Sequence, residues 1–244
     1  MLENVEYNGN NFSILYGDRY SENGFSGMKS LLAIEYFNNA ENGLCVSGSR
    51  DSMQVLKFSQ VATKINKNIE VFIPTGKDTE MISQLKKTKA NINRIPYGYK
   101  TVLNKRSRDC AEEKNMKSVQ VGMLEEFAFS NIEKIYQKLT KGIDFNLYND
   151  IIFPVGSGTS LIGFCRFCQS NGIKNKIIGV SCGMSIDKVL KDNCESFPDV
   201  NLEIVQSNYK YDFKFKNNLG LNETYEAKLL DFTKDNDLLI TVDL

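Results

Sequence analysis

The chain has 244 residues, 30 basic and 30 acidic side chains, a formal net charge of zero and no histidine. The balanced charge leaves no broad basic field for nucleic acid or an anionic membrane surface. Without histidine there is no Ser-His-Asp or Cys-His nucleophile pair, no histidine-ligated zinc and no deaminase site of the His-x-Glu type. Acid–base chemistry must therefore use Lys, Tyr, Ser, Asp, Glu or a cofactor.

A hydrophobic content of 41% is ordinary for a globular protein, and the length suits one large domain or two small ones around a shared cleft. No apolar run approaches the ~18 residues of a membrane helix. The opening residues, Met1 to Glu6, are too polar and acidic to read as a signal peptide. Cys45, Cys110, Cys165, Cys168, Cys182 and Cys194 are spread along a chain too long to need staples. They read as reduced thiols of a cytoplasmic protein.

In chain order, Val5 to Tyr16 predicts two strands around Asn8-Gly9, a strong hairpin signal. A helix is predicted from Ser30 to Phe37, opening just after Gly27-Met28-Lys29. Leu44-Cys45-Val46 reads as a short buried strand, and Ser52 to Ile65 has helical apolar spacing. Further strands are predicted over 70–73, 91–95 and 118–121, with helices over 78–87, 108–117 and 125–140. The run Ile151 to Val155 is of the buried parallel type. A helix over 161–169, a strand over 177–180, a helix over 185–193 and a strand over 201–205 follow. The last expectations are a helix from Tyr225 to Lys234 and a strand over 238–242. Such alternation points to parallel βαβ units.

The strongest local signal is Gly156-Ser157-Gly158-Thr159-Ser160, between a strand and a helix. Glycines let the backbone approach an anion closely, and the amides of a helix N-terminus face it. No Gly-Lys-Ser/Thr follows, so this is not a nucleotide P-loop, and its late position and spacing do not fit a dinucleotide fingerprint. From the residues alone, a phosphate cradle and a plain capped turn both remain open. The basic stretch Lys100 to Arg108 reads as a solvated loop or helix start, or as a phosphate contact. Cys165 and Cys168 have zinc-like spacing, but they fall inside a predicted helix without a second pair and read as core thiols.

Three stretches together resemble the fold-type II pyridoxal phosphate (PLP) enzymes, of the tryptophan synthase beta-like class. The first is Ser26-Gly27-Met28-Lys29 with Ile34-Glu35-Tyr36 closing its helix. The second is the small polar loop Ser47 to Gln54, and the third is the glycine loop, with Gly163 as the family's trailing glycine. Glu223-Thr224-Tyr225-Glu226-Ala227-Lys228 is similar to a fourth family segment, and the aminocyclopropane-carboxylate deaminase and D-cysteine desulfhydrase branch is the nearest.

The resemblance implies two three-layer α/β/α domains with mostly parallel sheets. The larger would comprise residues 1–44 and 131–244, and the smaller, inserted one 45–130. It implies pyridoxal 5′-phosphate as cofactor and a PLP-dependent lyase or deaminase acting on a small amino acid. Lys29 would form the Schiff base and shuttle protons. Gly156, Ser157, Gly158, Thr159 and Ser160 would hold the phosphate, and Glu226 the pyridine nitrogen. Ser49, Ser52 and Gln54 would take the substrate carboxylate, and Tyr225 would act or orient beside it. Tyr209 or Tyr211 could supply a second tyrosine. A homodimer is implied, with no membrane or nucleic-acid partner and no metal.

Departures from the family pattern are Met53, where an asparagine is usual, and Arg50-Asp51, where small or amide residues are usual. They leave two alternatives open: a substrate amino acid attached to something larger, and a PLP-binding protein without catalysis.

Overall fold

The structure, a computed structural model, describes residues 1–96, 99–182, 197–210 and 213–242. The chain forms two compact units, one of Met1–Glu22, Ser26–Met28 and Glu125–Leu244, the other of Asn23–Phe25 and Lys29–Leu124.

The first unit opens with β1 (Leu2–Tyr7) and β2 (Asn10–Tyr16), an antiparallel hairpin. Its two-residue turn has Asn8 at φ 51° and Gly9 at φ 84°. Positive φ at both positions matches the right-handed twist of the strands, and Asn-Gly tolerates it best. The short strands β3 (Ser21–Glu22) and β4 (Phe25–Ser26) lead into α1 (Met28–Asn38).

The second unit carries β5 (Leu44–Ser47), α2 (Met53–Lys64), β6 (Ile69–Pro74), α3 (Glu80–Leu85), β7 (Asn91–Ile95), α4 (Lys100–Glu113) and β8 (Lys117–Val119). Its sheet has the order β7-β6-β5-β8, and every pairing is parallel. Leu44, Cys45, Val46 and Ser47 are all buried, as a central strand covered on both faces requires. α2 turns Val55, Leu56, Phe58, Val61 and Ala62 inward, the stripe that its spacing predicts.

Back in the first unit come α5 (Glu126–Leu139), β9 (Asp150–Val155), α6 (Thr159–Asn171), β10 (Lys176–Ser181), β11 (Leu202–Gln206) and β12 (Leu238–Thr241). The sheet order is β1-β2-β12-β9-β10-β11, parallel from β2 onward. This is a mixed α/β fold with mostly parallel sheets. Tyr136, Phe153, Phe164 and Phe167 form an aromatic cluster within this unit. α5 and α6 approach closely at Gly163, where a Cβ would lie 2.6 Å from Ile132 Cβ. Gly163 thus has a packing reason of its own.

Several expectations change. The helix predicted over 108–117 starts at Lys100, so the basic stretch is helical, with Lys100, Lys105, Arg106 and Arg108 exposed. The helix predicted from Tyr225 to Lys234 is a 3-10 helix, Glu226–Phe232. Five consecutive residues there, Glu226 to Leu230, are buried. An α-helix that buries one stripe cannot bury five residues in a row. Cys165 and Cys168 lie on α6, fully buried, and burial pushes the Cys168 thiol up. The helix expected over 185–193, Cys194 and Tyr211 fall outside the described residues. Among the described residues no helix is long and apolar enough to cross a membrane.

Candidate functional site

In the first unit the buried strand β9 stops at Val155, and the chain turns through Gly156, Ser157 and Gly158 into α6. Gly158 caps the helix in the left-handed region, at φ 92°, where a side chain is strained. The N-cap is a glycine and so has no side chain to cap the helix, and a helix start carries amide N–H groups and the positive end of the dipole, the features that favour an anion. Ser157 Oγ and Thr159 Oγ1 are 3.1 Å apart, and the Ile162 amide donates to the Gly158 carbonyl at 2.9 Å, closing the first turn. Gly156 and Ser157 are exposed, Ser160 is half-buried and Thr159 is buried.

Tyr225 and Glu226 meet the carboxyl ends of three neighbouring strands of this sheet. A Cβ on Gly156, just past β9, would lie 2.9 Å from the Tyr225 hydroxyl. Cys182, just past β10, has its Sγ 3.4 Å from the Tyr225 carbonyl. Val242, just past β12, donates its amide to Glu226 Oε1 at 2.7 Å. Glu226 is fully buried, and so is Lys228, whose ammonium donates to the Lys210 carbonyl at 2.7 Å. The Cys182 thiol is pushed up to about 12, mainly by burial, with the Lys228 charge pulling the other way. Open parallel sheets bind their ligands at the carboxyl ends of the strands.

The second unit contains Lys29 and the 47–54 loop. Lys29 is the second residue of α1, half-buried, two positions after Gly27 at φ 82°. Ser52 caps α2, its hydroxyl accepting from the Val55 amide at 3.4 Å. Gly48 must be small, because a Cβ there would lie 2.7 Å from Ser52 Oγ. Ser49 is exposed, and its carbonyl accepts from the Ser52 amide at 3.3 Å. Met53, half-buried, opens α2.

Gln54 is buried, and both ends of its amide are engaged. Nε2 donates to the Gln120 carbonyl at 2.9 Å, and Oε1 accepts from the Gly122 amide at 3.1 Å. Asn104 supports the same turn, its Oδ1 accepting from the Val121 amide at 3.0 Å and from the Ser47 hydroxyl at 2.7 Å. Sequence reasoning passed over this 120–123 turn. Gly122, directly after a predicted strand, was the available signal. Arg50 points to the loop after β6 and donates to the Lys77 carbonyl at 3.0 Å. Among the described residues no group of three or more His, Cys, Asp or Glu is arranged to hold a metal ion.

No protein-family model matches the chain, and no curated protein does. Solved structures do. An ACC deaminase homologue superposes with a TM-score of 0.71 at 14% identity, over 95% of this chain and 83% of that one. The O-acetylserine dependent cystathionine beta-synthase from Helicobacter pylori gives 0.70 at 13% identity, over 100% and 92%. The chain has the fold of the fold-type II PLP enzymes. The processed form of threonine deaminase isoform 2 from Solanum lycopersicum is a further match, at 0.69 and 15% identity over 96% and 75%. At these identities the fold-type II likeness is one of architecture, and chemistry has to be argued from the side chains.

Proposed function

We propose that the chain is a PLP-dependent lyase or deaminase acting on an amino acid. The observation that carries this reading is the glycine turn of 156–158 at the start of α6, with Tyr225 and Glu226 against the same strand ends. The residues fit the group. Gly158 at φ 92° takes a backbone conformation that side chains rarely adopt, Gly156 is exposed, and hydroxyl donors flank the helix start.

When bound, pyridoxal 5′-phosphate supplies an electron sink for negative charge at the substrate α-carbon. In this reading the amides and hydroxyls of Ser157, Thr159 and Ser160 hold the phosphate. The Glu226 carboxylate holds a proton on the pyridine nitrogen. Lys29 attaches the cofactor and moves the proton at the substrate α-carbon. Ser49 and Ser52, with the start of α2, receive the substrate carboxylate. Gln54 acts there by holding the 120–122 turn, which already engages its amide. Tyr225 orients the reacting group from above Gly156. The working form in this reading is a cytoplasmic homodimer.

A second reading, a PLP-binding protein without catalysis, is favoured by Met53, a thioether without a donor at the start of α2.

Borohydride reduction of the PLP-treated protein, followed by peptide mass spectrometry, tests the proposal. The label is expected on the Lys29 peptide and is lost in Lys29→Ala. A label on another lysine, or no uptake at millimolar PLP, overturns the cofactor reading. Labelling without α-proton exchange of any amino acid in deuterated water favours the second reading.

A further inference from the structure

Arg50 lies in the loop proposed to receive the substrate carboxylate, yet its guanidinium is fixed elsewhere. It lies against Gly76, where a Cβ would stand 2.9 Å from Arg50 Cζ, and donates through Nη1 to the Lys77 carbonyl at 3.0 Å. Gly76 has φ 151°, so a side chain there would be strained as well as obstructed. Arg94 binds the same turn from β7, donating to the Gly76 carbonyl at 2.9 Å. The carboxylate of this turn, Asp78, is already engaged by Lys86 and Arg94, which hold its carboxyl below the usual range. Asp51 is exposed, and among the described residues no carboxylate forms an ion pair with Arg50. A guanidinium carries five N–H donors in a planar fork, and the Lys77 carbonyl engages one nitrogen of the three.

β5 and β6 are adjacent and parallel, so the loops after them begin about 4.8 Å apart. The Arg50 fork and the Ser49–Ser52 loop therefore lie at the same end of two neighbouring strands. We propose that Arg50 selects an amino acid whose side chain ends in an anion, a carboxylate or a phosphate. This rests on the reading of the 47–54 loop as the substrate-carboxylate site of a PLP enzyme. Arg50 is the specificity-determining residue, and Gly76 and Lys77 hold its fork in place.

The test is a calorimetric and spectroscopic titration of the PLP-loaded protein with matched pairs: aspartate and asparagine, glutamate and glutamine, O-phosphoserine and serine. At least one anion is expected to bind about tenfold or more tightly than its neutral partner, as a charge-assisted fork implies. The pair that discriminates tells carboxylate from phosphate. Arg50→Gln should bring the ratio to within about twofold, and Arg50→Lys, which keeps the charge but not the fork, should retain part of it. The ratio within one protein is insensitive to partial misfolding. Anions and neutral partners binding alike to the parent, or a ratio that survives Arg50→Gln, overturns the assignment while leaving the cofactor reading standing. Failure of the parent to take up PLP overturns both.

Discussion

The Tyr225 hydroxyl occupies the space that a side chain on Gly156 would need: an added Cβ would lie 2.9 Å from the oxygen and 3.5 Å from Cζ. Gly156 follows β9 and Tyr225 precedes the 226–232 turn, so the absence of a side chain at 156 is what lets the phenol reach the turn. Gly156→Ala should push the ring aside at a strain of ~1–2 kcal/mol. PLP affinity is expected to fall by roughly tenfold. Adding Tyr225→Phe, which removes the clashing oxygen, should recover most of the loss. Cofactor titrations of the single and double variants measure this, and an unrecovered double variant would place the damage elsewhere in the turn.

Glu226 combines a structural and a proposed chemical task, and two substitutions separate them. Glu226→Gln keeps an oxygen to accept from the Val242 amide, so the unfolding midpoint should move little. The charge is lost, and α-proton exchange of the substrate should slow about tenfold to a hundredfold, for a charge-assisted bond of ~1.5–3 kcal/mol. Glu226→Ala also strands a backbone amide and should cost a further ~1–3 kcal/mol of stability. Exchange as fast in the Gln variant as in the parent would remove Glu226 from the electron-sink role.

Gln54 holds the 120–122 turn at both ends of its amide, and the adjacent Met123 sits at φ 52°, an unfavourable value for a side chain of its size. Gln54→Leu leaves the Gln120 carbonyl and the Gly122 amide unmatched, an expected loss of ~1–3 kcal/mol. Gln54→Glu keeps the acceptor for Gly122 but sets a buried carboxylate oxygen against the Gln120 carbonyl, and should lose more. Denaturant midpoints read the stability, and faster hydrogen exchange at Gly122 localises it. Unchanged exchange in Gln54→Leu would show that the turn holds itself.

Glu126 and Arg166 join α5 to α6, and the Arg166 fork, helped by Ser130, holds the Glu126 carboxyl at about 2. A folded-state value below the unfolded one means that the unfolded chain binds the extra proton first. The pair therefore contributes fully above about pH 4.3, the ordinary Glu value, and its contribution fades as pH falls towards 2. The Glu126 side chain is 69% exposed, which limits the effect to about 0.2–1 kcal/mol. Glu126→Gln should lower the thermal midpoint slightly at pH 7 and by a smaller amount near pH 2. An equal difference at both pH values would mean that packing, and not charge, carries the contact.

Much of the architecture was legible in the residues. Asn8-Gly9 specifies a two-residue hairpin because both positions need positive φ. Leu44–Val46 and Ile151–Val155 are short apolar runs, shorter than a typical helix and followed closely by glycine, which favours buried strands. The glycine turn before α6 was legible for the same local reason, since Gly158 adopts a conformation that few other residues tolerate. Tertiary structure decided the rest. Which side chains share a face follows from spacing, but which distant backbone they meet does not. Gln54 finds its partners 66 and 68 residues away, and Glu226 finds its amide only because β12 returns beside β9. In the 3-10 turn of 226–232 the first five residues are buried in succession, a pattern of burial that a one-sided α-helix cannot give and that overrides the helical preference of these residues. Arg50 stood out in the sequence as a departure from the family loop, but only the fold lays it against Gly76.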